Sequence, residues 1–267
     1  MVDRRDSFHP HPEQPALPLE LHLFLLALRY LTHLPVPRDL PSSDDLMIRA
    51  TKYYPAVGLV IGGVSATLLW LLAQLIPMPV AVLVSMGLTM LLTGAFHEDG
   101  LADAADALGG GATRRDVLKI LRDSRLGTYG ALSLAMVLAI KAACLMALPL
   151  WAACSALVAG HALSRMGIVQ VIAATQYAPH EGSKYRPPGV TPDGYRFALV
   201  SAVVLALVMV PIFGLWAQAT AIVMSFLAMS GFAQSFLRKL SGYTLECLGG
   251  CQQFAELGFY IGLVMWL

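Results

Sequence analysis

Apolar runs dominate the chain. Seven of them, at about 54–76, 80–96, 127–148, 150–174, 197–215, 219–237 and 254–267, each approach the roughly 20 residues that a helix needs to cross a bilayer core. The third and fourth are divided only by Pro149. Before them, LELHLFLLALRYLTHL at 19–34 is apolar but interrupted by Glu20, His22, Arg29 and His33, and Pro35 and Pro37 close it. That length is short for a span, and the pattern predicts an interfacial or re-entrant helix. Residues 1–18 contain HPHPEQP and no apolar period; the reading is a flexible tail, in which a disordered leader outweighs metal capture by His9 and His11. It has neither the apolar core nor the small-residue cleavage site of a secretory signal. The expectation is an all-α polytopic membrane protein, with a tail at 1–18 and one membrane-embedded catalytic domain at 19–267.

Composition supports this. Hydrophobic residues make up 57% of the 267 and charged ones only 13%, with a mean hydropathy of +0.66. A formal net charge of +1 with dispersed basic residues gives no reason to expect a nucleic-acid partner. The placement of those basic residues is more informative. Arg4, Arg5, Arg29, Arg38, Arg49 and Lys52 precede the first run; Arg114, Arg115, Lys119, Arg122 and Arg125 follow the second; Lys184, Arg186 and Arg196 follow the fourth; Arg238 and Lys239 follow the sixth. The intervening turns have none, so the positive-inside rule puts the N-terminus and the loop after the second run in the cytoplasm and the C-terminus outside. Lys141 and Arg165 are the exceptions, both inside predicted spans. Lys141 is expected to snorkel toward the outer headgroups. Arg165, one turn after His161 and beside Ser164, is read as a substrate or phosphate contact. Cys144, Cys154, Cys247 and Cys251 are read as small packing residues, since Cys247 and Cys251 lack the further ligands zinc requires.

The chemistry concentrates in HEDGLADAADALGGGATRRDVLKILRDSRLGTYG, residues 97–130. On a helix turning 100° per residue, Asp99, Asp103 and Asp106 fall within an arc of roughly 60°. Three carboxylates on one face repel each other unless a cation sits among them, and hard divalent ions such as magnesium take oxygen ligands and bridge carboxylates to phosphates. Gly109, Gly110 and Gly111 are expected to break this helix. TRRDVLKILRDS then reads as an amphipathic helix packing through Val117, Leu118, Ile120 and Leu121, which delivers Arg122, Asp123, Ser124 and Arg125 to the mouth of the third span. Two arginines around a carboxylate suit a phosphate-bearing substrate with its metal. If the helix already runs through His97, that side chain points away from the Asp99 face, and it is read as a substrate or general acid/base contact. Clustered aspartates and nearby arginines, without a nucleophilic triad or a Walker loop, point to metal-assisted phosphoryl transfer to a hydroxyl.

At these residues the sequence resembles the cobalamin synthase family, the adenosylcobinamide-GDP ribazoletransferases. The resemblance runs through FLLALRYLTHLPVP (24–37), KYYPAVGLVIGG (52–63), GAFHEDGLADAADALGGG, LRDSRLGTYG, the Ser164–Arg165 pair and GYTLECLGGCQQFAEL (242–257). It implies that a hydroxyl of alpha-ribazole, or of its 5'-phosphate, attacks the cobinamide-linked phosphate of adenosylcobinamide-GDP and expels GMP, with magnesium required. It implies that Asp99, Asp103, Asp106 and Asp123 are metal and catalytic carboxylates, with Arg122, Arg125 and Arg165 as phosphate contacts. It also implies a bacterial inner-membrane location with the site facing the cytoplasm, and leaves homo-oligomerisation open. Glu98 stands where many members are apolar, Glu246 where Asp is common, and Pro179 where Arg is common. A CDP-alcohol phosphotransferase shares the aspartate logic, but its motif places Ala-Arg soon after Asp-Gly, whereas Leu101, Ala102 and Asp103 follow Asp99-Gly100 here. An ion-coupled transporter is the reading from another class, but transporters carry such charges near mid-membrane or show internal repeats, and neither is seen.

Overall fold

The computed structural model describes residues 18–37, 39–123, 125–178 and 189–267. Residues 1–17 of the expected tail at 1–18, Arg38, Ser124, and Pro179, Lys184 and Arg186 of the loop after Tyr177 lie outside the described residues. Within them the chain is helical: α1 (Leu19–Leu31), α2 (Asp44–Ala50), α3 (Tyr54–Ala73), α4 (Met78–Thr93), α5 (Phe96–Gly110), α6 (Arg114–Ile120), α7 (Thr128–Ala147), α8 (Leu150–Ala174), α9 (Pro192–Phe213), α10 (Leu215–Leu240) and α11 (Leu245–Val264). Proline and glycine set the breaks. Pro77 and Pro149 stand immediately before α4 and α8, where a missing N–H costs nothing. Gly214, at φ 83°, separates α9 from α10.

The expected count of seven spans is met in part. Five helices are long and apolar enough to cross a membrane: α3 (continuous with α2), α7, α8, α9 and α10. A sixth arises only if α4 and α5 are taken together, and they are bent by 89°. The seventh expected run begins nine residues earlier than the apolar pattern indicates, at Leu245. The resulting α11 is 20 residues long but carries Glu246, Gln252, Gln253 and Glu256. Those polar groups sit inside the bundle, where α11 is buried along nearly its whole length. Hydropathy reports surface offered to lipid, and an enclosed helix has little to offer. By contrast, α9 and α10 expose Val200, Val203, Val204, Leu207, Ile222, Val223, Phe226 and Leu227, as lipid-facing helices should.

At 13 residues α1 is about 20 Å long, too short to span. It packs Leu23, Leu26, Ala27 and Leu31 into the core. Contacts between helix ends gather the basic loops together. The rings of Tyr53 and Phe197 meet edge-on. The backbone N–H of His33 donates to Leu92 O at 2.7 Å, and Lys239 Nζ donates to the carbonyls of Leu108 and Gly111 at 2.6 and 2.8 Å. The opposite end is tied by Trp266 Nε1 donating to Thr220 Oγ1 at 2.9 Å. The alternation of basic loops along the sequence therefore corresponds to one end of the bundle.

Candidate active site

The site begins at a sharp break. Gly94 and Ala95 both adopt left-handed backbone, at φ 66° and 54°, and this pair turns α5 away from α4. Only glycine fits position 94, because a Cβ there would lie 2.5 Å from Cε1 of the His33 ring. The alanine at 95 carries the left-handed penalty of about 1–2 kcal/mol, a strain of the kind held at functional segments.

Because α5 starts at Phe96, His97 is already helical and points away from the Asp99 face into the bundle, as the sequence condition required. It is 2% exposed. Asp99 is exposed, and Asp103 and Asp106 are half-buried. The helix runs through Gly109 and Gly110, so the expected break is confined to Gly111. Gly100 lets α11 cross close by: a Cβ there would come within 3.1 Å of Glu246 O and 3.2 Å of Gly249 Cα. This crossing brings Glu246, in the first turn of α11, beside the aspartates, and the charges of Asp99, Glu246 and Asp106 all act on Asp103. Oε2 of Glu246 is buried without a hydrogen-bond partner among the described residues. Glu246, which stands where Asp is common in the resembled family, is placed by the fold in the acidic cluster.

The four proposed metal carboxylates divide into different surroundings. Both oxygens of Asp106 are taken by backbone N–H groups at the start of α7, Gly127 at 2.7 Å and Gly130 at 2.8 Å. Asp123 pairs with Arg125, Nη2 to Oδ2 at 2.6 Å, and that guanidinium holds its carboxyl down at about 2. Both residues are exposed, as is Arg122. Asp116, outside the expected ligand set, forms a capping box with Thr113 at the start of α6, and this fixes the short helix through which Val117 reaches the core. Asp99 and Asp103 thus remain the carboxylates open toward a ligand. Among the described residues no group of three or more His, Cys, Asp or Glu side chains is arranged to hold a metal ion by itself.

Behind α5 lies a polar interior that sequence reasoning missed. Lys141 does not snorkel: it is 4% exposed, with Nζ 2.6 Å from Glu256 Oε1 and 3.0 Å from Gln253 Oε1. Glu256, 2% exposed, also meets His161 Nδ1 at 3.1 Å and Gln252 Nε2 at 2.6 Å. Arg165 is 1% exposed and donates from Nη1 to His161 O at 2.9 Å. Ser164 accepts from Gln252 Nε2 at 2.9 Å, and Gln253 donates to Glu98 at 2.9 Å. A cavity of ≈ 20 Å³ bordered by Glu98, Lys141, His161 and Glu256 has room for about one water molecule. The charges balance, Lys141 and Arg165 against Glu98 and Glu256, which is how ionisable groups persist at membrane depth. A signal was present in the sequence: Gln252, Glu256 and Tyr260 recur every four residues along one helix face.

Comparison with known proteins adds the chain's kinship. The family model described as cobalamin-5-phosphate synthase matches residues 23–264. An adenosylcobinamide-GDP ribazoletransferase of Ralstonia nicotianae is 41% identical over 246 residues, covering 91% of this chain and 92% of the relative. Proteins of the same name from Leptothrix cholodnii and Shewanella frigidimarina are 40% and 38% identical, over 92% and 91% of this chain and 96% and 94% of theirs. No solved structure matches the chain. A match this long, which includes the α5 segment carrying the open carboxylates, means that the chain belongs to the cobalamin-5-phosphate synthase family.

Proposed function

We propose that the protein is a multi-pass membrane transferase that joins adenosylcobinamide-GDP to alpha-ribazole, or to its 5'-phosphate, and releases GMP. The observation that carries the reading is a pair of open carboxylates, Asp99 and Asp103, one helical turn apart at the end of the bundle where the basic loops gather, in a chain about 40% identical to transferases of that name. The hydroxyl oxygen of the ribazole attacks the cobinamide-linked phosphorus and a new O–P bond forms. The bond to the GMP oxygen breaks, GMP leaves with the electron pair, and the hydroxyl proton passes to a carboxylate.

Asp99 and Asp103 would hold magnesium. Two carboxylates with no third ligand suit an ion that keeps several waters and takes substrate phosphate oxygens to complete its shell. When bound, that ion stabilises charge on the phosphorus oxygens and on the leaving group. Asp106 orients the start of α7 through its two backbone bonds, and Asp123, already paired and of low basicity, keeps Arg125 in place. Arg122 offers a guanidinium fork to the diphosphate from the mouth, Arg125 offers the edge that Asp123 leaves free, and Arg165 offers its unpartnered Nε from the buried interior.

The membrane reading extends to α11. Enclosed by α5, α7, α8 and α10, it completes a seven-span bundle with α4, with the basic end and the carboxylates in the bacterial cytoplasm and the C-terminus outside. The test is incubation of the purified protein with adenosylcobinamide-GDP, alpha-ribazole and magnesium. GMP and the cobamide product are expected in equal amounts, with loss of both in excess EDTA. Absence of GMP release would sink the function, and full release in EDTA would sink the metal assignment.

A further inference from the structure

We propose that Glu256 is a positioning residue for the reaction: from the membrane interior it holds His161 Nδ1 and, by its own charge, sets the guanidinium of Arg165. The inference rests on the reading of Arg165 as a substrate contact. Glu256 gathers donors from three helices. Lys141 Nζ of α7 lies 2.6 Å and Tyr260 OH of α11 lies 3.1 Å from Oε1, while His161 Nδ1 of α8 lies 3.1 Å and Gln252 Nε2 of α11 lies 2.6 Å from Oε2. A carboxylate so surrounded has little freedom left. His161 follows from it: an Nδ1–H that donates to Glu256 cannot also accept from Arg165 Nη1, 3.3 Å away. Arg165 is therefore held by the His161 carbonyl at 2.9 Å and by the field of Glu256 and Glu98.

The unfilled atoms show what this arrangement is for. Nε of Arg165 and Nε2 of His97 are both buried and without a partner among the described residues. Arg165 and His97 are 1% and 2% exposed, and each lies within the other's electrostatic reach. A buried guanidinium edge without an acceptor carries a desolvation penalty unless an oxygen arrives to meet it. His97 and Glu98, whose charges and that of Arg165 act on one another, immediately precede Asp99 on α5, so Arg165 lies near the start of the helix that carries the carboxylate face. Glu98 and Glu256 together offset the two cations, Lys141 and Arg165, held there.

A double-mutant cycle on kcat/KM, with GMP release as readout, tests the proposal. Glu256→Gln and Arg165→Lys are each expected to lower kcat/KM on the order of 100-fold, the scale of a reactant misplaced by about 1 Å. The loss should lie mainly in a raised KM for the GDP-bearing substrate. The double variant should be no worse than the poorer single one, because residues acting as a unit are not additive. Losses that multiply would overturn the positioning role while leaving Arg165 a substrate contact. Wild-type turnover by Arg165→Lys alone would overturn both readings. Since Glu256→Gln strands the Lys141 ammonium, the charge-balanced Lys141→Met/Glu256→Gln variant supplies a second measure. Its thermal midpoint should return near wild type while KM stays raised; recovery of both together would make the network purely structural and end the proposal.

Discussion

Replacement of Asp106 separates a structural aspartate from the chemical ones. Its oxygens accept from Gly127 N and Gly130 N, the N-cap and third helical positions of α7, so it serves as an N-cap contributed from another helix. Asp106→Ala leaves both donors without their acceptor. Charge-assisted bonds are worth about 1.5–3 kcal/mol each when buried, but the site is only part-buried and water can stand in. The scale of ordinary N-cap losses, about 0.5–2 kcal/mol, then sets the size, with a few tenths more from the lost anion at the helix dipole. A net destabilisation of about 1–2 kcal/mol corresponds to a fall of roughly 2–8 °C in the unfolding midpoint for a chain of this size. Asp106→Asn, which retains one acceptor oxygen, should lose about half of that. Asp103→Asn should leave the midpoint unchanged or higher, since it relieves repulsion from Asp99 and Glu246, yet abolish GMP release. The assay is tryptophan-monitored unfolding in detergent beside turnover at saturating magnesium. If Asp106→Ala abolishes turnover with a midpoint within about 1 °C of wild type, Asp106 takes part in the chemistry and the capping argument fails.

Gly94→Ala should destabilise by at least about 1–2 kcal/mol from backbone strain alone, beyond the clash with the His33 ring, and His33→Ala in the same chain should recover only the clash. An unchanged midpoint would show that the break between α4 and α5 is differently built. Asp123, held at about 2 by Arg125, stays ionised above that value, and its ion pair is lost only as pH falls toward 2. The acid limb of activity between pH 5 and 7 should therefore be the same in Asp123→Asn as in wild type, and a displaced limb would contradict this. A cysteine at Ala112, exposed between α5 and α6, should react with an impermeant maleimide only after cells are opened; labelling of intact cells would reverse the topology.

The sequence made the lipid-facing shell legible and left the interior dark, for one physical reason. Helices such as α9 and α10 touch lipid, so their apolar runs had to be long, and their positions were found within a few residues. The enclosed α11 escaped because Gln252, Gln253 and Glu256 find partners on α5, α7 and α8 that no local pattern reveals. The same blindness made Lys141 an expected snorkeller when its partner lies 115 residues away in sequence. Within the site, the helical arc of Asp99, Asp103 and Asp106 was readable from spacing. That Asp106 turns to α7 was not, because its partners are backbone groups of Gly127 and Gly130. The arrival of Glu246 depended on the close crossing at Gly100 and Gly249.

The polar character of α11 bears on how the protein is made. A carboxylate at the centre of a helix opposes entry into the bilayer by an amount comparable to the roughly 2.5–3.5 kcal/mol measured for Asp, Lys or Arg, and two glutamines add to it. Left to its own partition, α11 would have a weak claim to enter lipid. Of the described helices it is also the last to be synthesised, so Lys141, His161 and Arg165 are already in the membrane when it emerges. The cations on α7 and α8 give Glu256 a destination, so entry of α11 into the bundle should depend on its neighbours more than on the lipid.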